Sequence, residues 1–435
     1  MKDPRPGSYE LVLDEAERLD GKLTALVPDG PTIVLRGGTI IDGKGGRIAR
    51  GSVVVKGDRI VSVGAEPATL PPDAEIRDVS GLTVLPGLMD AHIHPNGTAS
   101  TDPYRSHLAP SEEVQIIRGA LEIGQVLASG VTTIRALGHG PADHVYAYRQ
   151  AILEGLIRGP RILTSGWALS QTRGHGDVPE LPWEWVEHAR PRATFCDGPV
   201  ECRVAARRNF GEGANLIKVY SSDNRTGRPD FTIPELAAVT DEAHRRGAKV
   251  ATHAKTYEGV MNALHAGIDT IEHGPAEVHP DLLELMLEKG AYLVPTLATV
   301  HRVGIEGKDW GASAKAMERS KRELEGRQKV VALAAAMGIP VVTGSDSGSR
   351  AGFGLLSTRE LELLVQCGLS PMDAIVAATG TAAAALGLAA DVGTIEVGKV
   401  ADLIVVDGDP LSEIDLFQDR SRLKFVLQSG DPLIY

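Results

Sequence analysis

The sequence predicts an α/β fold, a (β/α)8 TIM barrel that carries a discontinuous small β-sandwich domain built from both chain ends. Two patterns predict it. Between Pro86 and Ala390, short apolar runs alternate with helix-length segments, as a parallel sheet with crossover helices requires. On either side of that region lie β-branched runs broken by Gly-containing turns, and two such flanks suit one domain interrupted by the barrel. No G-x-G-x-x-G follows the first barrel strand, so a doubly wound dinucleotide fold loses support.

In chain order, residues 1–30 are polar and read as a helical N-terminal extension. Residues 31–85 contain "TIVLRGGTIIDGKGGRIARGSVVVKGDRIVSVG", consecutive antiparallel hairpins that form the first part of the small β domain. Residues 86–389 form the barrel. Its strands are "LTVLPGLMDAHIH", "VTTIRALG", "PRILTSG", "NLIKVYSS", "AKVATHA", "DTIEHG", "AYLVPT" and "IPVVTGSD". Segments such as "DEAHRRG" and "LLELMLEKG" between them read as helices ending at glycine. Residues 390–435, with "VGTIEVGKVADLIVVDGDPL", complete the small β domain.

Composition narrows the function. Across 435 residues, 57 acidic against 45 basic side chains give a formal charge of −12, which disfavours a nucleic-acid surface and offers no basic membrane anchor. No apolar run is long enough to span a bilayer, and the opening "MKDPRPGSYELVLDEAERLDG" lacks the apolar core of a secretory signal, so the expected location is cytoplasmic and the expected partner a small molecule. Cys196, Cys202 and Cys367 have no C-x-x-C spacing and read as ordinary reduced thiols.

Nearly every predicted strand ends in a residue able to bind a metal, and barrel chemistry is built at the C-terminal ends of strands. His92 and His94 close the first strand and, with period two, face the same side. Lys218 lies in the fourth, His253 ends the fifth, His273 the sixth and Asp346 the eighth. Each has an ordinary structural explanation when taken alone; their joint placement at one end of the barrel does not. Four imidazoles and a carboxylate suit zinc or another borderline divalent ion better than calcium. The set is too large for one tetrahedral ion. That excess, and a lysine in an apolar strand, point to two metals sharing bridging ligands.

These motifs, with "GPRILTSGWALSQTRGHGD" after the third strand, resemble the amidohydrolase superfamily, in particular its prolidase-like and imidazolonepropionase-like metal-dependent hydrolases, over almost the whole chain after the N-terminal prefix. The resemblance implies that Lys218 is carboxylated on its ε-nitrogen and bridges two Zn2+ or other divalent ions, with His92, His94 and Asp346 at one site and His253 and His273 at the other. A metal-bridging hydroxide would then attack an amide carbonyl, with Asp346 shuttling its proton to the leaving nitrogen. His175, in "TRGHGD", matches a histidine that faces substrate in the family, whereas Arg173 stands where glycine is more common and is a candidate carboxylate-binding guanidinium. Tyr220 is a candidate oxyanion donor and His139 a further candidate for the mouth of the site. Ala136 replaces the family's commoner aspartate, so any role of that acid is absent here. Trp183 and Trp185 read chiefly as anchors of a loop, and "RSKRELEGRQK" as a solvated helical face.

The expected reaction is therefore hydrolysis of N-acyl amino acids or dipeptides, Xaa-Pro dipeptides among them. Carbamates, ureas, lactones and cyclic amides are alternatives on the same centre. A mononuclear enzyme of the imidazolonepropionase or deaminase kind is a second alternative, and a non-catalytic assembly protein a third. The resemblance also implies a homo-oligomer, octamers occurring in related groups.

Overall fold

The computed structural model describes residues 30–65, 72–95, 97, 111–138, 140–177, 193–223, 226–349 and 352–433. Apart from Gly30, the helical segment expected over residues 1–30 lies outside them.

One eight-stranded sheet draws on both ends of the described chain. It contains β1 (Thr32–Ile41), β2 (Arg47–Lys56), β3 (Arg59–Gly64), β4 (Glu75–Asp78) and β5 (Leu82–Pro86), together with β17 (Leu403–Asp407), β18 (Leu423–Gln428) and β19 (Asp431–Leu433). The order is β19-β18-β17-β5-β1-β2-β3, with β4 also paired to β1. Alternation sets its inner face: Ile33, Leu35, Val53, Val55, Leu403 and Val405 are all buried in one cluster. Between β2 and β3, Gly57 adopts φ 56°, a left-handed turn conformation that favours glycine.

The remaining large sheets are parallel. One holds β6 (Leu88–Ile93), β7 (Val131–Ala136) and β8 (Arg161–Thr164); the other holds β9 (Ala168–Ser170), β11 (Ile217–Tyr220), β14 (Val250–Ala254), β15 (Thr270–His273) and β16 (Tyr292–Val294), with β10 (Ala193–Phe195) outside β9. A short hairpin pairs β12 (Ser222–Asp223) with β13 (Arg228–Pro229). The segment predicted as the eighth strand makes parallel bridges to both neighbours, Val341 to Leu293 and Ser347 to Ile93. Strands β6, β7, β8, β11, β14 and β15 are buried at every residue, as strands covered on both faces must be. The arrangement is TIM-barrel-like.

The run "LTVLPGLMDAHIH" is divided between the two layers. β5 serves the eight-stranded sheet and β6 the three-stranded parallel sheet, with Gly87 between them; a Cβ there would stand 2.1 Å from Thr132 Oγ1. Helices start and stop as their sequences direct. Ile233–His244 opens with a Thr232/Glu235 capping box, and Pro280–Lys289 ends at Gly290 with φ 65°. No described helix is long and apolar enough to cross a membrane.

Candidate metal and active site

Parallel pairing places the predicted ligands together because it brings every strand's C-terminal end to the same side. In the β11/β14 ladder Lys218 pairs with Ala251 and Tyr220 with His253, and in β14/β15 Ala254 pairs with His273. Asp346 is fixed beside β6, its N–H donating to the His92 carbonyl at 2.8 Å.

His92 Nδ1 donates to Glu272 Oε2 at 2.7 Å, and His94 Nδ1 donates to the Gly138 carbonyl at 3.1 Å. Both imidazoles therefore present Nε2 lone pairs inward, and these nitrogens lie 3.3 Å apart. Asp346 Oδ1 stands 3.0 Å from His94 Nε2 and 3.7 Å from His92 Nε2. Two imidazole nitrogens and a carboxylate oxygen thus converge, an arrangement that a proton or a cation relieves. His273 lies beside this group, its ring centre 4.8 Å from that of His92 and 4.5 Å from that of His253. Its Nδ1 is hydrogen-bonded to Thr296 Oγ1 at 2.7 Å, leaving Nε2 for a ligand. Lys218 is 1% exposed, and its Nζ has no hydrogen-bond partner among the described residues. A bare ammonium in such a place is costly, and beside it the donor set of His92, His94 and Asp346 fits a divalent cation.

The electrostatics agree with neutral, ligand-ready imidazoles. Burial first, then the Lys218 charge, lowers His92 to about 4, and burial holds His253 and His273 well below the usual histidine value. Burial lowers Lys218 to about 8. For Asp346, burial would raise the carboxyl, but the His94 hydrogen bond and the His92 charge outweigh it and hold it below the ordinary carboxylate range.

Three residues here have left-handed backbones: His273 (φ 71°), Thr296 (φ 51°) and Asp346 (φ 56°). Each costs on the order of 1–3 kcal/mol and persists only where its surroundings enforce it. At His273 the gain is visible. Alternation along β15 turns Thr270 and Glu272 to one face, yet His273 also reaches His92, because the left-handed turn ends the alternation.

Sequence reading missed the supports behind the ligands. Glu272 is 0% exposed and accepts from Arg135 Nη2 at 2.7 Å and Thr270 Oγ1 at 2.6 Å as well as from His92. Asp90 is 1% exposed and accepts from the His92 and Ser345 amides and from the Ser345 and Ser357 hydroxyls. Their signal was present in "MDAHIH" and "IEHG", acids beside histidines on apolar strands. The stretch "RSKRELEGRQK" departs from the solvated face expected of it: Arg327 is 2% exposed, donates to Thr296 Oγ1 at 2.8 Å, and shares Glu323 with Lys255. Length explains this, since a long helix, Ala314–Met337, turns one side inward every 3.6 residues.

His175 stacks on His253 with ring centres 4.0 Å apart, and Tyr220 lies 4.9 Å from His175. The Asp230 carboxylate fixes that loop by accepting the His175 amide at 2.8 Å. Arg173 adopts φ 63°, its side chain is 52% exposed, and its Nη1 donates to Asp177 at 3.2 Å. His139, Trp183 and Trp185 lie outside the described residues. Cys196 and Cys202 are buried with their sulfurs 3.3 Å apart, a neighbourhood that the sequence spacing did not suggest.

Residues 83–433 match the family model described as "Amidohydrolase family". The chain is 29% identical over 434 residues to ochratoxinase of Aspergillus niger, covering 93% of this chain and 87% of that protein. It is 25% identical over 396 residues to imidazolonepropionase of Symbiobacterium thermophilum, covering 82% and 84%. Among solved structures, a Xaa-Pro dipeptidase with methionine bound in its active site superposes with a TM-score of 0.81 at 28% identity, covering 93% of this chain and all of that one.

Proposed function

This chain belongs to the amidohydrolase family and hydrolyses amide bonds, and from that premise we propose a binuclear, zinc-dependent enzyme that cleaves N-acyl amino acids or dipeptides, Xaa-Pro dipeptides among them. The observation that carries this reading is the pair of inward-facing nitrogens of His92 and His94 against Asp346, backed by the partnerless buried Nζ of Lys218. In this reading His92, His94 and Asp346 hold one ion and His253 and His273 the other. Lys218, carboxylated on Nζ, would help to hold both. The same reading takes residues 31–85 and 390–435 as a β-sandwich around an eight-strand barrel spanning 86–389.

Bound there, such ions would supply Lewis acidity and bring the pKa of water towards neutrality. The protein does the rest. Asp346, ionised at neutral pH, accepts the proton of the attacking water and returns it to the leaving nitrogen, which makes an amine a viable leaving group. Tyr220 donates a hydrogen bond to the carbonyl oxygen as charge develops there, and His175 orients the substrate from its place against His253. Beneath them Met89, Ala91, Ala251, Val294 and Val342 close the barrel with apolar side chains and keep water from that side. The names of the ochratoxinase and Xaa-Pro dipeptidase relatives support an amide or peptide bond as the target.

The test is a mass-spectrometric screen of the zinc-loaded protein against dipeptides, N-acyl amino acids, carbamates, ureas and lactones. Cleavage of amides bearing a free carboxylate is the expected result. Turnover confined to carbamates, ureas or lactones would overturn the substrate assignment and leave the metal centre in place.

A further inference from the structure

We propose that Glu360 is a positioning residue for the candidate metal centre: from behind the site its carboxyl fixes the short segment 296–299, which holds His273 through one threonine and Asp346 through another. The inference rests on the metal-dependent reading above.

The helix Leu297–His301 begins without the cap that its sequence offers. Thr296 stands where a threonine hydroxyl ordinarily accepts from the first turn of a helix, but it makes no such bond and its backbone is left-handed, with φ 51° and ψ 49°. Its Oγ1 is engaged instead by His273 Nδ1 at 2.7 Å and by Arg327 Nη1 at 2.8 Å. The first amides of a helix have no acceptor within it, so those of Leu297 and Ala298 must find one elsewhere. Glu360 supplies it from 63 and 62 residues away in the chain: Oε1 accepts from the Leu297 amide at 2.9 Å and Oε2 from the Ala298 amide at 2.7 Å.

Both sides of this clamp reach the site. Thr296, before it, holds His273, and Thr299, after it, donates its hydroxyl to the Asp346 carbonyl at 2.9 Å. The helix that carries Glu360, Leu356–Gln366, also backs His92: Ser357, three residues earlier and on the same helix face, donates to Asp90 Oδ2 at 2.6 Å, and Asp90 accepts the His92 amide at 3.1 Å. Glu360 is fully buried, and a carboxyl so placed is costly unless it is hydrogen-bonded. Burial raises it to about 8 against the pull of the two amides, yet a carboxyl keeps acceptor capacity on both oxygens in either protonation state. Glutamine would not, because its NH2 group would oppose one of the amides donor to donor.

The experiment compares wild type, Glu360→Gln, Thr299→Val and the double variant for zinc affinity, by competition with a chromophoric chelator, and for kcat and KM on N-acyl amino acids, at a temperature where all are folded. In the metal-free proteins the ring N–H signal of His273, assigned with His273→Gln, is followed by NMR of nitrogen-labelled histidine. Glu360→Gln is expected to weaken zinc binding and to lower kcat about tenfold each, the low end for partners of metal-binding side chains, with KM within about twofold, and to broaden the His273 signal. Thr299→Val should act in the same direction, and the double variant should lose less than the product of the two single losses, since both changes reach Asp346 through one segment. A loss of thermal stability with zinc affinity and kcat unchanged, or losses that simply multiply in the double variant, would overturn the proposal. If Glu360→Gln does not fold, Glu360→Asp, which keeps both oxygens on a shorter arm, is read by the same criteria. If wild type binds no zinc and cleaves no amide, the metal-dependent reading falls and the His273 signal decides alone: broadening in Glu360→Gln keeps the positioning role, and an unchanged signal ends it.

Discussion

Glu272 Oε2 sits 2.7 Å from Nδ1 of His92, a residue 180 positions earlier in the chain, and this contact aims the opposite nitrogen of His92 into the centre of the site. Burial alone would raise the Glu272 carboxyl, but the Arg135 charge and the His92 hydrogen bond outweigh it and bring it down to about 2. Glu272→Gln keeps the shape and weakens the acceptor. Metal affinity or turnover should fall roughly 10–100-fold, as for other partners of metal-binding histidines. Arg135→Met instead leaves a buried carboxylate without its cation and should cost about 3–5 kcal/mol of stability. Denaturant unfolding and metal titration of the two variants separate these effects; equal stability losses would contradict the division of roles.

The facing nitrogens of His92 and His94 make a direct prediction about metal content. Chelation should abolish hydrolysis and added zinc should restore it, whereas His92→Ala should lose bound metal and at least 100-fold in kcat/KM, about 3 kcal/mol of transition-state stabilisation. Elemental analysis of both proteins gives the readout. Full metal retention by His92→Ala would show that the convergent acceptors do not form the site.

Lys218 predicts a pH dependence of the metal-free protein. Burial lowers its folded pKa from 10.5 to about 8, so between those values the unfolded chain binds more protons and stability rises with pH. Below about pH 8 the full penalty applies, on the order of 3 kcal/mol. Metal-free Lys218→Met should therefore be the more stable protein at pH 7, with the gap closing from pH 8 to 10.5. Unfolding curves in the presence of chelator test this, and a gap that widens over that range would refute it.

Gly344 packs against His92. A Cβ at this position would stand 2.4 Å from Val294 Cγ1 and 2.9 Å from His92 Cβ. Gly344→Ala should destabilise the fold by about 1–3 kcal/mol through overpacking and weaken metal binding by displacing His92. Thermal unfolding and zinc titration are the measurements; unchanged zinc affinity would mean that the strand yields without moving the imidazole.

Much of this protein was legible in its sequence. Alternating apolar runs and helical segments announced parallel strands, and His92, His94, Lys218, His253, His273 and Asp346 stood out because polar side chains on buried strands need a reason to be there. Local pattern could reach no further. That one run supplies β5 to one sheet and β6 to another depends on the close approach of Gly87 to Thr132. That Cys196 and Cys202 touch depends on where β10 meets the helix that follows.

The same division holds at the centre of the site. Chain order and residue type determined which side chains could bind metal, since strand periodicity is a local property of the backbone. Only the tertiary structure decided which nitrogen each histidine presents, that Glu272 and Arg135 stand behind His92, that Lys255 and Arg327 share Glu323, and that His273 turns into the site through a left-handed backbone. Those relationships join residues tens to hundreds of positions apart. They exist only after packing excludes water, when each buried donor and acceptor must find its partner inside the protein.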